Sequence, residues 1–260
     1  MFRPRIIPVL LLKDKGLVKS VKFKNYKYVG DPINAVKIFN DLRADELVFL
    51  DIMATCQKRS IALDFVRRVG DEANMPFAVG GGIQTNKQIK DIINAGAEKV
   101  VINSHAIQNP TFIKEAADEF GSSTIVVSID VKKNMWGKKR VYTKAGTQST
   151  NLNPIEWAKI IEEKGAGEII INSIDHDGTM NGYDLALVQE ISEAVEIPVV
   201  ALGGAGRLED LQDAVKKAYA SAVAAGSFFV FHGSRKAVLI NYPNEKNIVS
   251  LFDTFPQISQ

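Results

Sequence analysis

Three features of the 260-residue sequence predict an α/β fold in which eight strand–helix units close into a single (β/α)8 TIM barrel. Short apolar runs alternate with longer amphipathic segments, and eight such runs are found. Each run is apolar nearly throughout, as expected for parallel strands covered on both faces. The chain also repeats itself at an offset of roughly half its length, which favours a duplicated half-barrel.

The predicted strands are taken directly from the apolar runs. Runs of this length between turn residues are typical of buried strands. In chain order they cover 5–12, 46–52, 76–82, 99–104, 124–130, 168–175, 198–204 and 221–227.

The segments between the strands predict helices. Pro32 follows Asp31, which places a proline near the first helical position behind a capping residue. The segment 86–97 places three isoleucines on one face and stops at Gly96. Later helices are predicted within 109–121, 153–165, 184–195 and 207–219.

The internal repeat predicts one domain over 1–260 with half-barrels of about 1–122 and 123–260. "PFAVGGGI" at 76–83 resembles "PVVALGGAG" at 198–206, and "ELVFLDI" resembles "EIIINSI". Duplicated halves predict duplicated sites related by a pseudo-twofold axis.

Composition excludes several functional classes. The net charge of +2 gives no reason to expect nucleic-acid or membrane binding. A signal-peptide pattern and an apolar run of membrane-spanning length are both missing, so a cytoplasmic location is expected. A single cysteine, Cys56, excludes an intramolecular disulfide. His105, His176 and His232 lack the spacing of a zinc site, and neither a metal nor a cofactor is expected.

Two long connections break the alternation. Residues 13–31 are predicted to form a lysine-rich loop after strand 1, and Lys19 lies in it. Residues 131–153 follow strand 5 and contain a candidate small hairpin. Loops after barrel strands lie on the catalytic face, so either loop is a lid that attracts an anionic substrate or a solvated basic loop.

Glycine motifs predict phosphate sites at the mouth of the barrel. The sequences "GGGI" (80–83) and "GGAG" (203–206) each follow a predicted strand, and glycine lets backbone N–H groups approach an anion. Asn103 and Ser104 follow strand 4, while "GSFFVF" (226–231) follows strand 8 and is a candidate short helix. The alternative is that these glycines serve tight turns alone.

Carboxylates at strand ends are candidates for acid–base chemistry. Asp130 closes strand 5 and should project into the top of the barrel, where partial desolvation suits a general acid or base. Asp51 could orient other polar groups, and Asp177 could meet a phosphate or hydroxyl. Capping and turn roles are the alternatives, in particular for Asp51, Asp175 and Asp177.

Four charged residues stand at strand starts, at the opposite end of the barrel. Two cations and two anions there could form a closed ring of ion pairs across the central pore. Such a ring is either a stability plug or a gate, and the sequence pattern alone favours the plug. The residues are Arg5, Glu46, Lys99 and Glu168.

Over nearly its whole length the chain resembles the cyclase subunit of imidazole glycerol phosphate synthase. The resemblance implies a (β/α)8 barrel with a glutaminase (HisH-type) subunit docked at its N-terminal face. Ammonia would pass up the barrel to a phosphorylated ribulosyl-aminoimidazole substrate. The matching stretches are "GDP" (30–32), "DELVFLDI" (45–52), "VGGGI" (79–83), "INS" (102–104), "SIDVK" (128–132), "GAGEIIINSIDHDGTMNGYD" (165–184) and "GGAG" (203–206).

The resemblance assigns roles to individual residues. It makes the four-residue ring an ammonia gate rather than a plug, and Asp130 a catalytic aspartate. It assigns Lys19 to the mobile first loop and to substrate binding, with Asp51 also in the substrate site. One phosphate would be bound by Gly82, Asn103 and Ser104, and the other by Asp177, Gly178, Gly204 and Ser227.

One departure bears on the reaction. Leu11 stands where the family has a second essential aspartate, and Asp14 lies at an odd offset, so it faces the other way or sits in the loop. The segment 229–243 also departs from the family pattern. With these departures the chain resembles a branch of paralogues associated with bacterial surface polysaccharides. Such a paralogue would supply ammonia for an amidino group on a sugar and would not close an imidazole ring. The related aminoimidazole ribotide isomerase also uses an aspartate on strand 1 and another on strand 5. Leu11 therefore argues against isomerase activity for this chain.

Overall fold

The computed structural model describes residues 3–233 and 235–252, and the central element is a closed barrel of eight parallel strands. Each strand pairs with the next in chain order, and the last pairs with the first. The predicted (β/α)8 fold and its eight strands are confirmed. They are β1 (Arg5–Lys13), β2 (Leu47–Asp51), β3 (Phe77–Gly80), β4 (Lys99–Ile102), β5 (Ile125–Lys133), β6 (Glu168–Ser173), β7 (Val199–Leu202) and β8 (Ala222–Ala225).

Helices cover the outside of the barrel and bury one apolar face against it. Several begin where the sequence supplies a cap, and Asp31 accepts hydrogen bonds from two backbone N–H groups at the start of the first helix. They are α1 (Pro32–Asp41), α2 (Leu63–Glu72), α3 (Asn86–Asn94), α4 (Ser104–Gln108), α5 (Thr111–Phe120), α6 (Pro154–Glu163), α7 (Leu185–Ser192), α8 (Leu208–Ala218) and α9 (Glu245–Phe252). The six predicted helices are confirmed, and α2, α4 and α9 are additional. Among residues 3–233 and 235–252, no helix is long and apolar enough to cross a bilayer.

The segment 13–31 is not the irregular loop that the sequence predicts. It forms an antiparallel pair of strands, Gly16–Val21 and Lys24–Gly30, that continues from the end of β1. We call Gly16–Gly30 the first hairpin. Its turn residues Lys22 and Phe23 both adopt positive φ, of 55° and 59°.

A second hairpin follows β5, as predicted. The outer part of β5 pairs with Lys139–Thr143, which in turn pairs with Gln148–Ser149. Each half of the barrel thus begins with a nine-residue strand that runs into an antiparallel hairpin on the same face. This arrangement agrees with the proposed half-barrels, whose boundary near residue 122 stays a prediction.

Short elements complete the chain after β8. The predicted short helix at 226–231 is a 3-10 helix of three residues, Ser227–Phe229. Another 3-10 helix, Ser122–Thr124, lies earlier in the chain, between α5 and β5. A two-stranded sheet pairs Phe231–His232 with Ala237–Val238, and Tyr242 then donates a hydrogen bond of 2.9 Å to the carbonyl oxygen of Ile6. The segment around Tyr242 is therefore anchored beside the start of β1.

The barrel interior follows from the two-residue period of the strands, because every second side chain points inward. Ile7, Val9 and Leu11 lie on this inner face of β1. Buried apolar side chains from the other strands pack with them, and they form a core separate from the larger one beneath the helices. Charged residues stand at one end of this inner core and polar residues at the other.

Candidate active site

A cavity lined by both polar and apolar side chains opens at the carboxyl-terminal ends of the barrel strands. Residues from the strand ends line its floor, and residues from both hairpins line its rim. The two hairpins meet over the cavity, since a Cβ on Gly146 would lie 2.8 Å from the Phe23 ring. Nine residues singled out from the sequence line this cavity, namely Leu11, Lys19, Asp51, Gly82, Asn103, Ser104, Asp130, Asp177 and Ser227.

Asp130 is a buried carboxylate at the top of the barrel, in the floor of the cavity. Its Oδ2 accepts a 2.8 Å hydrogen bond from Asn103 Nδ2, and its Oδ1 accepts a 3.1 Å bond from Asn172 Nδ2. The side chain is 7% exposed, and both of its oxygens are thus held by amide donors from the neighbouring strands. The arrangement fixes the carboxylate plane at the top of the barrel.

Burial raises the pKa of Asp130 to about 6, because the charged form loses its hydration. The two amide hydrogen bonds stabilise the charged form and oppose this shift, and the negative charge of Asp177 adds to it. A carboxyl group with a pKa close to the working pH can both take and give a proton. Asp130 therefore has the environment of a general acid–base group.

Leu11 faces the same cavity from the opposite side of the barrel. It continues the inner face of β1, four strands away from β5, and packs beside Leu50. Asp14 cannot replace a carboxylate at this place, because it lies exposed in the turn between β1 and the first hairpin. Across the barrel, Asp130 is thus opposed by an apolar side chain rather than by a second carboxylate.

Lys19 lies inside the cavity rather than on a solvated loop. It is 4% exposed, and its Nζ donates a 2.6 Å hydrogen bond to the carbonyl oxygen of Val9. Burial lowers the pKa of the amine to about 8, and the charge of Asp177 opposes this shift. The first hairpin therefore delivers a weakly basic amine to the mouth.

Asp177 and Gly178 hold the first hairpin over the mouth. Asp177 Oδ2 accepts hydrogen bonds from Ser20 Oγ at 2.8 Å and from Phe23 N at 3.4 Å. Gly178 packs so tightly that a Cβ there would lie 1.9 Å from the carbonyl oxygen of Ser20. Only glycine fits this contact, and its φ of +67° also suits glycine.

Asp51 is engaged in a local network at the end of β2. Its Oδ2 pairs with Arg59 at 2.5 Å, while its Oδ1 accepts the backbone N–H groups of Met53 and Ala54, each at 3.1 Å. Gly82 lies beside this network, where a Cβ would be 1.8 Å from the carbonyl oxygen of Arg59. Asp51 therefore shapes one wall of the cavity.

The structure assembles the two sets of residues that are predicted to bind phosphate in different ways. Gly82, Asn103 and Ser104 come together in the cavity, although the Asn103 amide is bonded to Asp130 and Ser104 Oγ accepts Lys144 N at 3.1 Å. In the second group only two members, Asp177 and Ser227, line the cavity. Gly178 packs against Ser20 of the first hairpin and is not among the residues that line the cavity. Gly204 packs against Gly182, whose N–H donates to its carbonyl oxygen at 2.9 Å.

Sequence analysis did not single out several residues of the cavity. Asn172 bonds to Asp130, Ser128 lies one inward position below Asp130, and Ser20 binds Asp177. One signal for Asn172 was present in the sequence, since the tripeptide Ile-Asn-Ser occurs at 102–104 and again at 171–173. Both copies end a barrel strand, and both asparagines donate to the same carboxylate.

The structure brings the four charged residues at the strand starts into one alternating ring. Arg5 pairs with Glu46 and with Glu168. Lys99 Nζ lies 3.2 Å from Glu46 and 3.1 Å from Glu168. Each carboxylate therefore contacts two cations. The Arg5 side chain is 34% exposed, whereas those of Glu46 and Glu168 are 5% and 8% exposed.

The fold and its two ends define a (β/α)8-barrel protein with a cavity at the mouth that contains buried carboxylates and a closed charge ring at the base. Residues 5–235 match the family described as histidine biosynthesis protein. The chain belongs to this family and to its HisF-type group, as the following relatives show.

The chain is similar over almost all of its length to curated HisF-type proteins. It is 50% identical to a putative imidazole glycerol phosphate synthase subunit hisF2 of Pseudomonas aeruginosa, over 94% of this chain and 97% of that protein. It is 47% identical to a putative subunit hisF3 of Vibrio vulnificus, over 94% of each. It is 46% identical to the imidazole glycerol phosphate synthase subunit HisF of a Hydrogenobaculum species, over 95% and 98%. The chain is thus about equally similar to relatives named with and without "putative".

Substitution Gly178→Ala should release the first hairpin from the mouth. The new Cβ would clash with the Ser20 carbonyl, so we expect faster amide hydrogen exchange across residues 16–30. Gly137→Ala is the matched control, because Gly137 has a similar φ of +73° and no atom within 4 Å of an added Cβ. Equal exchange of the first hairpin in both variants would contradict the proposed contact.

Substitution Lys19→Met should stabilise the fold more at pH 7 than at pH 10. Burial lowers the folded-state pKa of Lys19 to about 8. Above the unfolded-state pKa the amine is neutral in both states and does not destabilise the fold. As the pH falls through 8 the buried amine becomes charged, and this stability is lost. Removing the amine should raise the free energy of unfolding by about 2 kcal/mol more at pH 7 than at pH 10. Urea denaturation at both pH values measures this difference, with Lys24→Met as the exposed control. A gain that does not depend on pH would argue against a buried amine.

Proposed function

We propose that this chain is the synthase, or cyclase, subunit of a glutamine-dependent amidotransferase complex. In this proposal a glutaminase subunit docks at the base of the barrel. Ammonia then passes through the interior to a phosphorylated ribulosyl-aminoimidazole substrate at the mouth. The observation that carries the proposal is a closed charge ring at one end of an apolar interior and a buried acid–base carboxylate at the other.

The interior suits a small uncharged molecule. Between the two ends the inner face carries apolar side chains, several of them as small as alanine, including Ala78, Ala222 and Ala224. A charged ammonium ion would lose its hydration there at high cost, whereas neutral ammonia would not. The barrel therefore supports passage of ammonia and opposes leakage of ions.

The alternating ring supports a gate rather than a permanent plug. Leaving a buried carboxylate unpaired is strongly destabilising. In this ring, however, withdrawal of Arg5 leaves both Glu46 and Glu168 paired with Lys99. Arg5 is also the most exposed member, which makes it the side chain that moves most easily.

The positive charge around the mouth suits an anionic substrate. Residues 13–30 and 131–150 carry twelve of the chain's 32 Lys and Arg residues and one of its 30 Asp and Glu residues. The net charge of the whole chain is only +2, so this basic rim is a local feature of the mouth. Its charge attracts phosphates toward the cavity. Once ammonia has bonded to the substrate, Asp130 would take the proton that the nitrogen releases.

Substitution Arg5→Met tests the gate in the complete complex with the glutaminase subunit. The ring would lose one of its two cations, so we expect less of the nitrogen released from glutamine to reach the product and more to appear as free ammonia. Arg3→Met is the control, because Arg3 pairs with Asp45 on the same face outside the ring. An unchanged ratio of product to glutamine consumed would contradict the gate.

A second candidate function is delivery of ammonia without cyclisation, for amidino-sugar formation in lipopolysaccharide or O-antigen biosynthesis. The observation that favours it is Leu11, which fills the inward position facing Asp130, while Asp14 lies outside the cavity. Loss of one acid–base group lowers a rate by about two to four orders of magnitude. The ring and the interior would still carry ammonia to a separate acceptor.

Substitution Leu11→Asp separates the two functions. We expect turnover of the phosphorylated substrate with ammonium salts alone to rise by about 10²- to 10⁴-fold, because a second carboxylate would face Asp130. Leu11→Asn is the control with the same shape and no charge. A cyclase rate that is already fast in the unaltered chain, and that Leu11→Asp does not raise, would exclude the second function.

A further inference from the structure

We propose that Tyr242 is a positioning residue for the charge ring, because its hydroxyl fixes the backbone beside the Arg5–Glu46 pair. The inference rests on the proposed function where it treats the ring as a gate. It gives a role to the segment 229–243, which departs from the family pattern and which the proposed function does not use.

At the base of the barrel, the backbone ladder does not close the seam between β1 and β2. The register of these strands begins only at Val9 and Val48. N–H groups two residues apart point to the same side of a strand, and the Ile6 N–H points toward β2, where it donates to Asp45 Oδ2 at 2.9 Å. The nitrogen of Pro8 therefore also faces β2, but it carries no hydrogen and cannot extend the ladder.

Two side chains, which we call the bracket, close this seam instead. Asp45 accepts the Ile6 N–H, while the Tyr242 hydroxyl donates to Ile6 O at 2.9 Å and accepts Asp45 N at 3.2 Å. Tyr242 is 8% exposed, so water does not compete for these bonds. Arg3 pairs with Asp45 from the exposed side, and loss of Arg3 leaves the bonds to Ile6 in place. The spacing of the two strands here therefore depends on the bracket.

The bracket lies directly beside the ring. Arg5 immediately precedes Ile6, and Glu46 immediately follows Asp45. The bracket thus fixes the residue next to each member of the Arg5–Glu46 pair, which spans the seam. The strength of a charged hydrogen bond in a partly buried site depends strongly on distance and geometry. The Tyr242 hydroxyl therefore sets how closely Arg5 approaches Glu46.

The segment before Tyr242 holds its ring in place. Leu239 N donates to Val230 O, and Asn241 N donates to Phe229 O, each at 2.9 Å. The rings of Phe229 and Tyr242 stack with their centroids 5.6 Å apart and their planes at 27°. These contacts fix the ring independently of the hydroxyl, so loss of the hydroxyl alone tests the bracket.

The first test is an NMR measurement of the Arg5 guanidinium in this subunit alone. In Tyr242→Phe the ring stays against Phe229 and only the hydroxyl is lost. We therefore expect the Arg5 Nε–H signal to shift and its hydrogen exchange to become several-fold faster. The signal is identified by its absence from the Arg5→Met variant.

Tyr183→Phe is the matched control. Tyr183 is 7% exposed, and its hydroxyl also donates to a carbonyl oxygen of a barrel strand, Ala224 O, at 2.9 Å. If the Arg5 signal behaves alike in the two variants, the Tyr242 hydroxyl only anchors the C-terminal segment, and the proposal is overturned. Should Tyr242→Phe not fold, Asn241→Ala decides in the same way, because Asn241 Nδ2 braces this segment by donating to Leu239 O at 3.1 Å.

A transfer measurement separates this proposal from the proposed function. In the complete complex, Tyr242→Phe should lower the ratio of product to glutamine consumed, as Arg5→Met does, while Tyr183→Phe leaves it unchanged. If the unaltered complex does not transfer nitrogen, or if Arg5→Met leaves the ratio unchanged, the gate fails and the NMR measurement still decides whether Tyr242 positions Arg5. A ratio that falls in Arg5→Met but not in Tyr242→Phe would overturn the role of Tyr242.

Discussion

Closure of the parallel barrel is the constraint on which the other features depend. The hydrogen-bonded register from β1 around to β8 and back decides which residue of each strand enters the interior. Because the side-chain period is two, a charged residue at a strand start and a polar residue at its end share one inner face. The ring, the apolar layer and the cavity are therefore successive levels of a single stack of side chains.

The sequence predicted the features that depend on local pattern. Apolar runs located the strands, caps such as Asp31 located helix starts, and the resemblance pointed to Asp130 and Leu11. The local sequence pattern could not predict the first hairpin. Its turn at Lys22 and Phe23 needs positive φ, and a turn of this kind usually contains asparagine or glycine. Contacts from Asp177 hold that turn, and these join residues 154 or more positions apart. Asn172 was overlooked for a similar reason, since its partner lies 42 residues away on another strand.

The first hairpin changes the meaning of its lysines. A solvated basic loop would only attract anions, whereas the folded hairpin buries Lys19 in the cavity and leaves Lys22, Lys24 and Lys27 exposed on the rim. One element thus places a buried amine inside the cavity and exposed cations on its rim. The aspartate that secures the hairpin, Asp177, belongs to a loop that also borders the cavity, so the lining of the cavity and the position of the hairpin are physically linked.

The nine residues of β1 connect a ring cation, Arg5, to the inward position of Leu11 and then to the hairpin. An insertion or deletion in this strand would turn one end outward while the other stayed inward. A change of side chain at Leu11 leaves the register of both ends unchanged. The side chain at the mouth can therefore be replaced at a single codon while the charge ring and the apolar interior keep their positions, so that the two ends of one strand can diverge independently.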